Sequence, residues 1–228
     1  MAACVIVFVK NPVPGQVKTR LIPYLSPEQA ASLYQAFLVD WYNALSTIST
    51  AHRVIAYTPP EGLDALQTLI GEDPVYIPQM GASLGERLIA AARWAYDQGY
   101  AKFLFVGSDS PTLPTWYVEH ALDLLESRDI VIGPSVDGGY YLIGFSKHGA
   151  SLSIPAIFEE IAWSTEVVFR QTLGKIQEIN ARLGLLPPWY DVDTPTGLQL
   201  LRDHLLGIHL AGESSPAPQT YSKLAEWF

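Results

Sequence analysis

The sequence is poor in the residues on which redox and metal-cage chemistry depend. Its 228 residues contain one cysteine, Cys4, which excludes both an intrachain disulfide and a cysteine-based zinc site. Cys4 falls in the first apolar run and is expected to be a plain buried thiol. Basic residues are scarce as well: 14 Lys and Arg face 23 Asp and Glu, giving a net charge of −9 and a pI near 4.9. A chain this acidic lacks the broad basic footprint of a nucleic-acid binder. No stretch approaches the ~18 consecutive apolar residues of a membrane span. The N-terminal apolar run is too short for a signal-peptide core, and Lys10 interrupts it, so a cytoplasmic protein is expected. Three catalytic signatures are missing too. The five histidines show no H-E-x-x-H spacing, and no G-x-G-x-x-G follows a strand. "GPSVD" lacks the last glycine of a serine-hydrolase elbow.

What is present is the composition of a globular enzyme-sized domain, 49% hydrophobic and 11% aromatic. Short β-branched runs alternate with stretches of helical period. Strands are expected at Cys4–Val9, "HRVIAYT", "PVYIP", "KFLFVG", "DIVIGPS", "YYLIGF" and Leu185–Tyr190. Helices are expected from Ser26, an N-cap followed by Pro27, to about Ile48. Others are expected over Glu61–Ile70, Leu84–Asp97, Trp116–Glu126, Ser164–Leu183 and Pro195–Leu206. Strands separated by helices pair in parallel through right-handed crossovers, so the expected fold is a three-layer α/β/α sandwich around a mostly parallel sheet. One domain is expected over residues 1–206. Residues 207–228 form a Ser/Pro-richer tail, either loose or docked through Leu224, Trp227 and Phe228 and without a catalytic role. Six tryptophans and a mean hydropathy of +0.15 leave room for a homodimer surface.

Three cations stand out against the acidic background. "FVKNPVPGQVKTRL" places Lys10, Lys18 and Arg20 around Pro12, Pro14 and Gly15, directly after the first strand. It is not a P-loop, because two residues separate Gly15 from Lys18. The spacing still permits a phosphate to approach Gly15, with Lys18, the adjacent Thr19 and Arg20 at one side. A solvated, salt-bridged loop would also explain it. Asp109, in "FLFVGSDSPTLP", lies just beyond a buried strand, where α/β sheets bind their ligands, and is placed to hold a hard cation. "WYDVDTPTGL" adds Asp191 and Asp193, of which one is expected to face the site. Asp193-Thr194-Pro195 also serves as a helix start. Asp109 and Asp193, on neighbouring strand ends, can share one divalent ion. Asp137, ahead of Gly138 and Gly139, is either a hairpin turn or the group that binds or deprotonates an acceptor. "QMGASLGERL" offers Gly81, Gly85, Glu86 and Arg87 as an open loop over a base or ribose.

The ordered set "FVKNPVPGQVKTRL", "LGERL", "GSDSPTLP", "GPSVDGGYYLIG", "WSTEVV" and "DVDTPTGL" resembles the GT-A-like nucleotide-diphospho-sugar transferase superfamily. More narrowly, it resembles a bacterial glycosyltransferase branch with members linked to arsenosugar biosynthesis. The first motif is also similar to that of the phospho-lactate guanylyltransferases. The resemblance implies that Lys10, Gly15, Lys18 and Arg20 meet nucleotide phosphates, and that Asp109 and Asp193 hold magnesium or manganese. In place of the D-x-D frequent in GT-A glycosyltransferases the chain has Asp109-Ser110-Pro111, a pattern more usual in nucleotidyltransferases. The expected activity is metal-dependent transfer from a nucleotide-diphospho-sugar to a small acceptor, with Asp109, Asp137 and Lys18 catalytic. The alternative is nucleotidyl transfer from an NTP with release of pyrophosphate. A non-catalytic nucleotide-binding protein is the third reading, opposed by the cost of keeping an unligated carboxylate pair beside a sheet.

Overall fold

The computed structural model describes residues 2–22, 24–154 and 156–227. The elements run β1 (Ala3–Lys10), α1 (Pro27–Ser46), β2 (Ala51–Thr58), α2 (Leu63–Ile70), β3 (Val75–Pro78), α3 (Leu84–Asp97) and β4 (Lys102–Gly107). They continue with α4 (Thr115–Leu124), β5 (Ile130–Pro134), β6 (Tyr140–Ser146), α5 (Lys147–Ser153), α6 (Val168–Glu178), β7 (Leu183–Leu185), α7 (Pro195–Leu210) and α8 (Pro218–Trp227). Among the described residues the strands make one sheet in the order β3-β2-β1-β4-β6-β5-β7. Only β6 runs against its neighbours, β4 and β5. It reaches them through the tight turn after β5, whereas the parallel strands need helical crossovers.

β1 lies inside the sheet and is buried on both faces, which is why it reads as an unbroken apolar run. Its alternate residues divide between two cores. Val5, Val7 and Val9 join Leu33, Phe37 and Trp41 of α1, Val118 of α4 and Leu201 of α7. Cys4 and Ile6 join Leu88 and Ala92 of α3, Phe103, Phe105 and Phe145. These are the two interlayer cores of the α/β/α sandwich. Cys4 is fully buried, and burial pushes its thiol pKa up. α1 starts as its sequence indicates. Ser26 Oγ accepts from Gln29 N–H at 3.2 Å, and Gln29 Oε1 accepts from Ser26 N–H at 2.9 Å.

Three expectations differ from the fold. The helix expected over Ser164–Leu183 is confined to Val168–Glu178, because Ser164 (φ 64°) and Asn180 (φ 52°) take left-handed conformations at its flanks. The strand expected over Leu185–Tyr190 is Leu183–Leu185, followed by a single bridge from Trp189 to Ser135. Pro187 and Pro188 have no N–H to continue the ladder. α7 runs on to Leu210, past the expected boundary at residue 206. The tail then forms α8, which docks on α1. Both Asp40 carboxylate oxygens accept from its first turn, Oδ1 from Gln219 N–H at 3.0 Å and Oδ2 from Thr220 N–H at 2.8 Å. Leu224 is buried in the core with Trp227 against it, and Phe228 lies outside the described residues.

Candidate active site

The carboxyl ends of β1 and β4, with Gln79 just after β3, open on one side of the sheet into a cleft of about 680 Å³. That volume suits a small-molecule substrate. Lys10 ends β1 at its rim, exposed and outside any ion pair among the described residues. After the turn at Pro14–Gly15, where Gly15 takes φ 76°, the chain returns to the cleft at Gln16 and a short 3-10 turn carries Thr19 and Arg20. Gly15 itself lies outside the cleft lining, and a Cβ there would meet nothing within 4 Å.

Lys18 is the centre of the arrangement. Its backbone is left-handed (φ 49°, ψ 35°), a conformation that costs a non-glycine residue about 1 kcal/mol or more. The side chain turns inward, 3% exposed, between the loop after β4 and the segment before α7. Its Nζ donates to Asp109 Oδ1, to Asp193 Oδ1 at 2.8 Å and to the Val192 carbonyl at 3.0 Å. The rings of Phe37 and Tyr34 lie 5.2 and 5.5 Å from the ammonium. Burial alone would lower the Lys18 pKa, but the Asp109 and Asp193 charges outweigh it and hold the ammonium above its ordinary value. Burial likewise opposes ionisation of Asp193, while Lys18, with Arg20 and Lys10 further off, brings its pKa below the ordinary value.

Backbone contacts fix the two carboxylates. Val192 N–H donates to the Asp109 carbonyl at 2.9 Å. The Val192 side chain is fully buried, so Asp191 and Asp193, its neighbours on either side, both face the cleft. Residues two apart share one side of an extended chain, which corrects the expectation that one of them would turn away. Ser135 Oγ donates to Asp191 Oδ1 at 3.1 Å. Burial, then the charges of Asp137 and Asp193, raise the Asp191 pKa.

A hydrogen-bond chain that the sequence does not announce ties the first loop to β4. Lys10 N–H donates to Tyr34 Oη at 3.2 Å, Tyr34 to Ser108 Oγ at 2.7 Å, and Ser108 to the Phe8 carbonyl at 3.0 Å. Burial and the Asp109 charge push the Tyr34 phenol up to about 12, so it remains a donor. At the far end of the cleft Asp137 Oδ1 accepts from Gly139 N–H at 2.9 Å. Gly138 (φ 92°) has no room for a side chain, since a Cβ would fall 2.2 Å from the Glu166 carbonyl.

Gly85 and Arg87 do not line the cleft. A Cβ on Gly85 would approach the Phe158 carbonyl to 2.7 Å and the Trp163 indole nitrogen to 2.9 Å, so this glycine serves helix packing. Arg87 Nε donates to the Gly81 carbonyl at 3.1 Å and shapes the loop before α3.

Asp109 and Asp193 are the side chains of the cleft that could hold a divalent ion. Each commits Oδ1 to Lys18 and keeps a second oxygen, and their side chains are 42% and 37% exposed. Among the described residues no group of three or more His, Cys, Asp and Glu forms a cage. Magnesium bound through one or two carboxylates, water and substrate phosphates needs none.

Comparison with known proteins gives this cleft its context. Residues 42–165 match the family described as "Uncharacterized protein conserved in bacteria (DUF2064)". The chain belongs to this family. It is 31% identical over 129 residues to a 3-phospho-D-glycerate guanylyltransferase of Phenylobacterium zucineum, covering 55% of this chain and 59% of that one. It is 29% identical over 136 residues to a 2-phospho-L-lactate guanylyltransferase of Methanobrevibacter ruminantium, covering 55% and 56%. The chain thus matches somewhat more than half the length of these curated relatives. A crystal structure from Desulfovibrio desulfuricans G20, provisionally named a nucleotide-diphospho-sugar transferase, is 35% identical with a TM-score of 0.89, covering 99% of this chain and 95% of that one. The DUF2064 chain therefore shares the nucleotide-diphospho-sugar transferase type of fold. No helix among its described residues is long and apolar enough to cross a membrane.

Proposed function

We propose that this DUF2064 protein is a nucleotidyltransferase, which joins a nucleoside monophosphate from an NTP to a phosphate or acid oxygen of a small acceptor and releases pyrophosphate. The observation that carries this reading is the meeting, in one cleft, of the Lys18-bridged carboxylates Asp109 and Asp193 with the cations Lys10 and Arg20, which make no ion pair among the described residues. The guanylyltransferase relatives support it and favour GTP as the donor.

An acceptor oxygen attacks the α-phosphorus, the bond from that phosphorus to the bridging oxygen of the β-phosphate breaks, and pyrophosphate departs with the electron pair. Charge gathers on the leaving group, where Lys10 and Arg20 are placed to meet it. Lys18 acts one step back: it keeps Asp193 ionised and fixes both Asp109 and Asp193 in direction. These two would hold a divalent ion, which when bound neutralises phosphate charge and polarises the reacting phosphoryl group. An acceptor phosphate or carboxylate is already ionised at neutral pH, so Asp137 has no proton to remove and its task is positioning.

Sugar transfer from a nucleotide-diphospho-sugar, as in the arsenosugar-linked branch the sequence resembles, is the second reading, favoured by the name of the D. desulfuricans protein. There Asp137 would deprotonate an acceptor hydroxyl. The deciding experiment incubates the protein and Mg²⁺ with each NTP or each nucleotide-diphospho-sugar, together with a set of phosphorylated hydroxy acids and sugar phosphates. Pyrophosphate release that depends on an acceptor supports nucleotidyl transfer. Nucleoside diphosphate from a nucleotide sugar, with no pyrophosphate from any NTP, overturns it in favour of sugar transfer.

A further inference from the structure

Two carboxylates that share an ion must stand a fixed distance apart, and the sheet does not set that distance for Asp109 and Asp193. Asp109 follows β4, Asp193 follows β7, and β6 and β5 lie between those strands. Among the described residues no strand pairing joins the two segments. Lys18 draws both side chains in, but other contacts hold the backbones beneath them. Val192 N–H donates to the Asp109 carbonyl at 2.9 Å, Ser110 Oγ donates to the Tyr190 carbonyl at 2.9 Å, and Thr112 Oγ1 bonds Tyr190 Oη at 2.7 Å. The last two both end on Tyr190, immediately before Asp191.

The Tyr190 phenol is held from its other side as well. His204 Nδ1, on α7, lies 2.8 Å from the same Oη. The Trp189 ring stacks on the phenol ring, with centroids 5.6 Å apart and planes 23° apart. A phenol gives one hydrogen and also accepts, so it bonds Thr112 and His204 together, donating to one and accepting from the other. Burial raises its pKa, which keeps that hydrogen in place at neutral pH. Thr112 is buried, and none of Thr112, Tyr190 and His204 lines the cleft, so they act through the carboxylates and not on a substrate. We infer that Tyr190, backed by His204, is a positioning residue that fixes the separation of Asp109 and Asp193 through its bond to Thr112. The inference rests on the nucleotidyl-transfer reading and adds residues outside the cleft on which its carboxylate pair depends.

Titration calorimetry of the full chain tests it, with whichever of GTP, ATP, CTP and UTP wild type binds tightest, titrated once in Mn²⁺ and once in EDTA. Wild type is expected to bind more tightly in Mn²⁺. Tyr190→Phe and Thr112→Val are expected to cut that Mn²⁺ gain about 10-fold, as lost supports of metal ligands do. Binding in EDTA, which falls to Lys10 and Arg20, should stay within about threefold of wild type, and the melting temperature should drop by only a few degrees. Thr112→Ser keeps the hydroxyl and should restore the gain lost in Thr112→Val. If Tyr190→Phe does not fold, the two Thr112 variants decide, and equal gains in them overturn the inference. An undiminished gain in folded Tyr190→Phe overturns it while nucleotidyl transfer stands. So does a loss shared equally by binding in EDTA, which marks a general disturbance, or the absence of any Mn²⁺ gain in wild type. Binding of no triphosphate by wild type overturns both.

Discussion

Lys18 Nζ lies 2.8 Å from Asp193 Oδ1 and at the same time bonds Asp109, a residue 91 positions away in the chain. One ammonium thereby joins the loop after β1, the end of β4 and the segment that leads into α7. Removing it leaves two carboxylates facing each other. Because both are partly solvated, the expected loss of stability for Lys18→Met is about 1–3 kcal/mol, below the 3–5 kcal/mol of a fully buried broken pair. Turnover is expected to fall at least ~100-fold. Lys18→Arg should restore neither, since a planar guanidinium does not fit a seat shaped for a point charge. Thermal melts and pyrophosphate release, measured on both variants, check this. Wild-type turnover in Lys18→Arg would refute the positional role.

Asp109→Asn keeps the shape of the side chain and removes its charge. Asp109 is 42% exposed and its backbone carbonyl still accepts from Val192, so the fold is expected to persist with a transition within a few degrees of wild type. Turnover should fall below detection. Chelation of wild-type protein with EDTA should also abolish pyrophosphate release, and Mg²⁺ or Mn²⁺ should restore it. Activity that survives in EDTA would remove the metal from the scheme.

Asp137 separates the two reactions. Its Oδ1 accepts from Gly139 N–H, a role that an asparagine oxygen also fills, so Asp137→Asn preserves the turn. With an already ionised acceptor the variant is expected to keep kcat within about 10-fold and to change mainly the acceptor KM. If Asp137 is a general base, kcat should fall by the 10²–10⁴-fold that such catalysis contributes. Steady-state kinetics across acceptor concentrations distinguishes the two.

The parts legible in the sequence are those set by local pattern. β1 declares itself by a continuous apolar run, α1 by Ser26-Pro27, and Asp109 by its place after a buried strand. The parts that were hidden depend on residues far apart in the chain. Lys18 reads as a free phosphate-binding cation until Asp109 and Asp193 come to it from 91 and 175 positions away. Gly85 looks like a glycine for ligand approach, but its missing side chain makes room for Trp163, which nothing nearby in sequence indicates. Tyr34 and Ser108 carry no motif at all, and they meet only because α1 packs across β1 and β4. The pair Asp191 and Asp193 needed only correct use of the two-residue period around a buried Val192.

Far from the cleft, Asp129 is paired with Arg182 through Oδ1–Nη2 at 2.8 Å and Oδ2–Nε at 3.0 Å, and its Oδ2 also accepts from Arg182 N–H at 2.8 Å. The Arg182 hydrogen bonds hold its carboxyl below the ordinary value despite burial. A depressed folded-state pKa adds stability above the unfolded value near ~3.9, and that stability is lost as pH falls through the folded value. Melting temperature is therefore expected to drop more steeply below about pH 4 in wild type than in Asp129→Asn, which starts lower at pH 7. Parallel curves for the two proteins from pH 7 to pH 2 would show that the pair has no linkage to folding.

Asp40 offers a test of the C-terminal helix that leaves the cleft untouched. Its carboxylate, on buried α1, receives the Gln219 and Thr220 N–H groups at the start of α8, and it is almost fully buried itself. Such caps contribute about 1–2 kcal/mol, and leaving two donors unpaired in the interior places Asp40→Ala at the upper end. For a chain of this size the melting temperature should fall by roughly 4–8 °C. Asp40→Asn keeps one acceptor oxygen and should lose about half as much. Because Leu224 is buried in the core that α1 shares with β1, deleting residues 212–228 should cost more than either substitution. Pyrophosphate release at 25 °C is expected to be unchanged in Asp40→Ala. A fall in activity without a fall in melting temperature would mean that α8 influences the cleft rather than only securing α1.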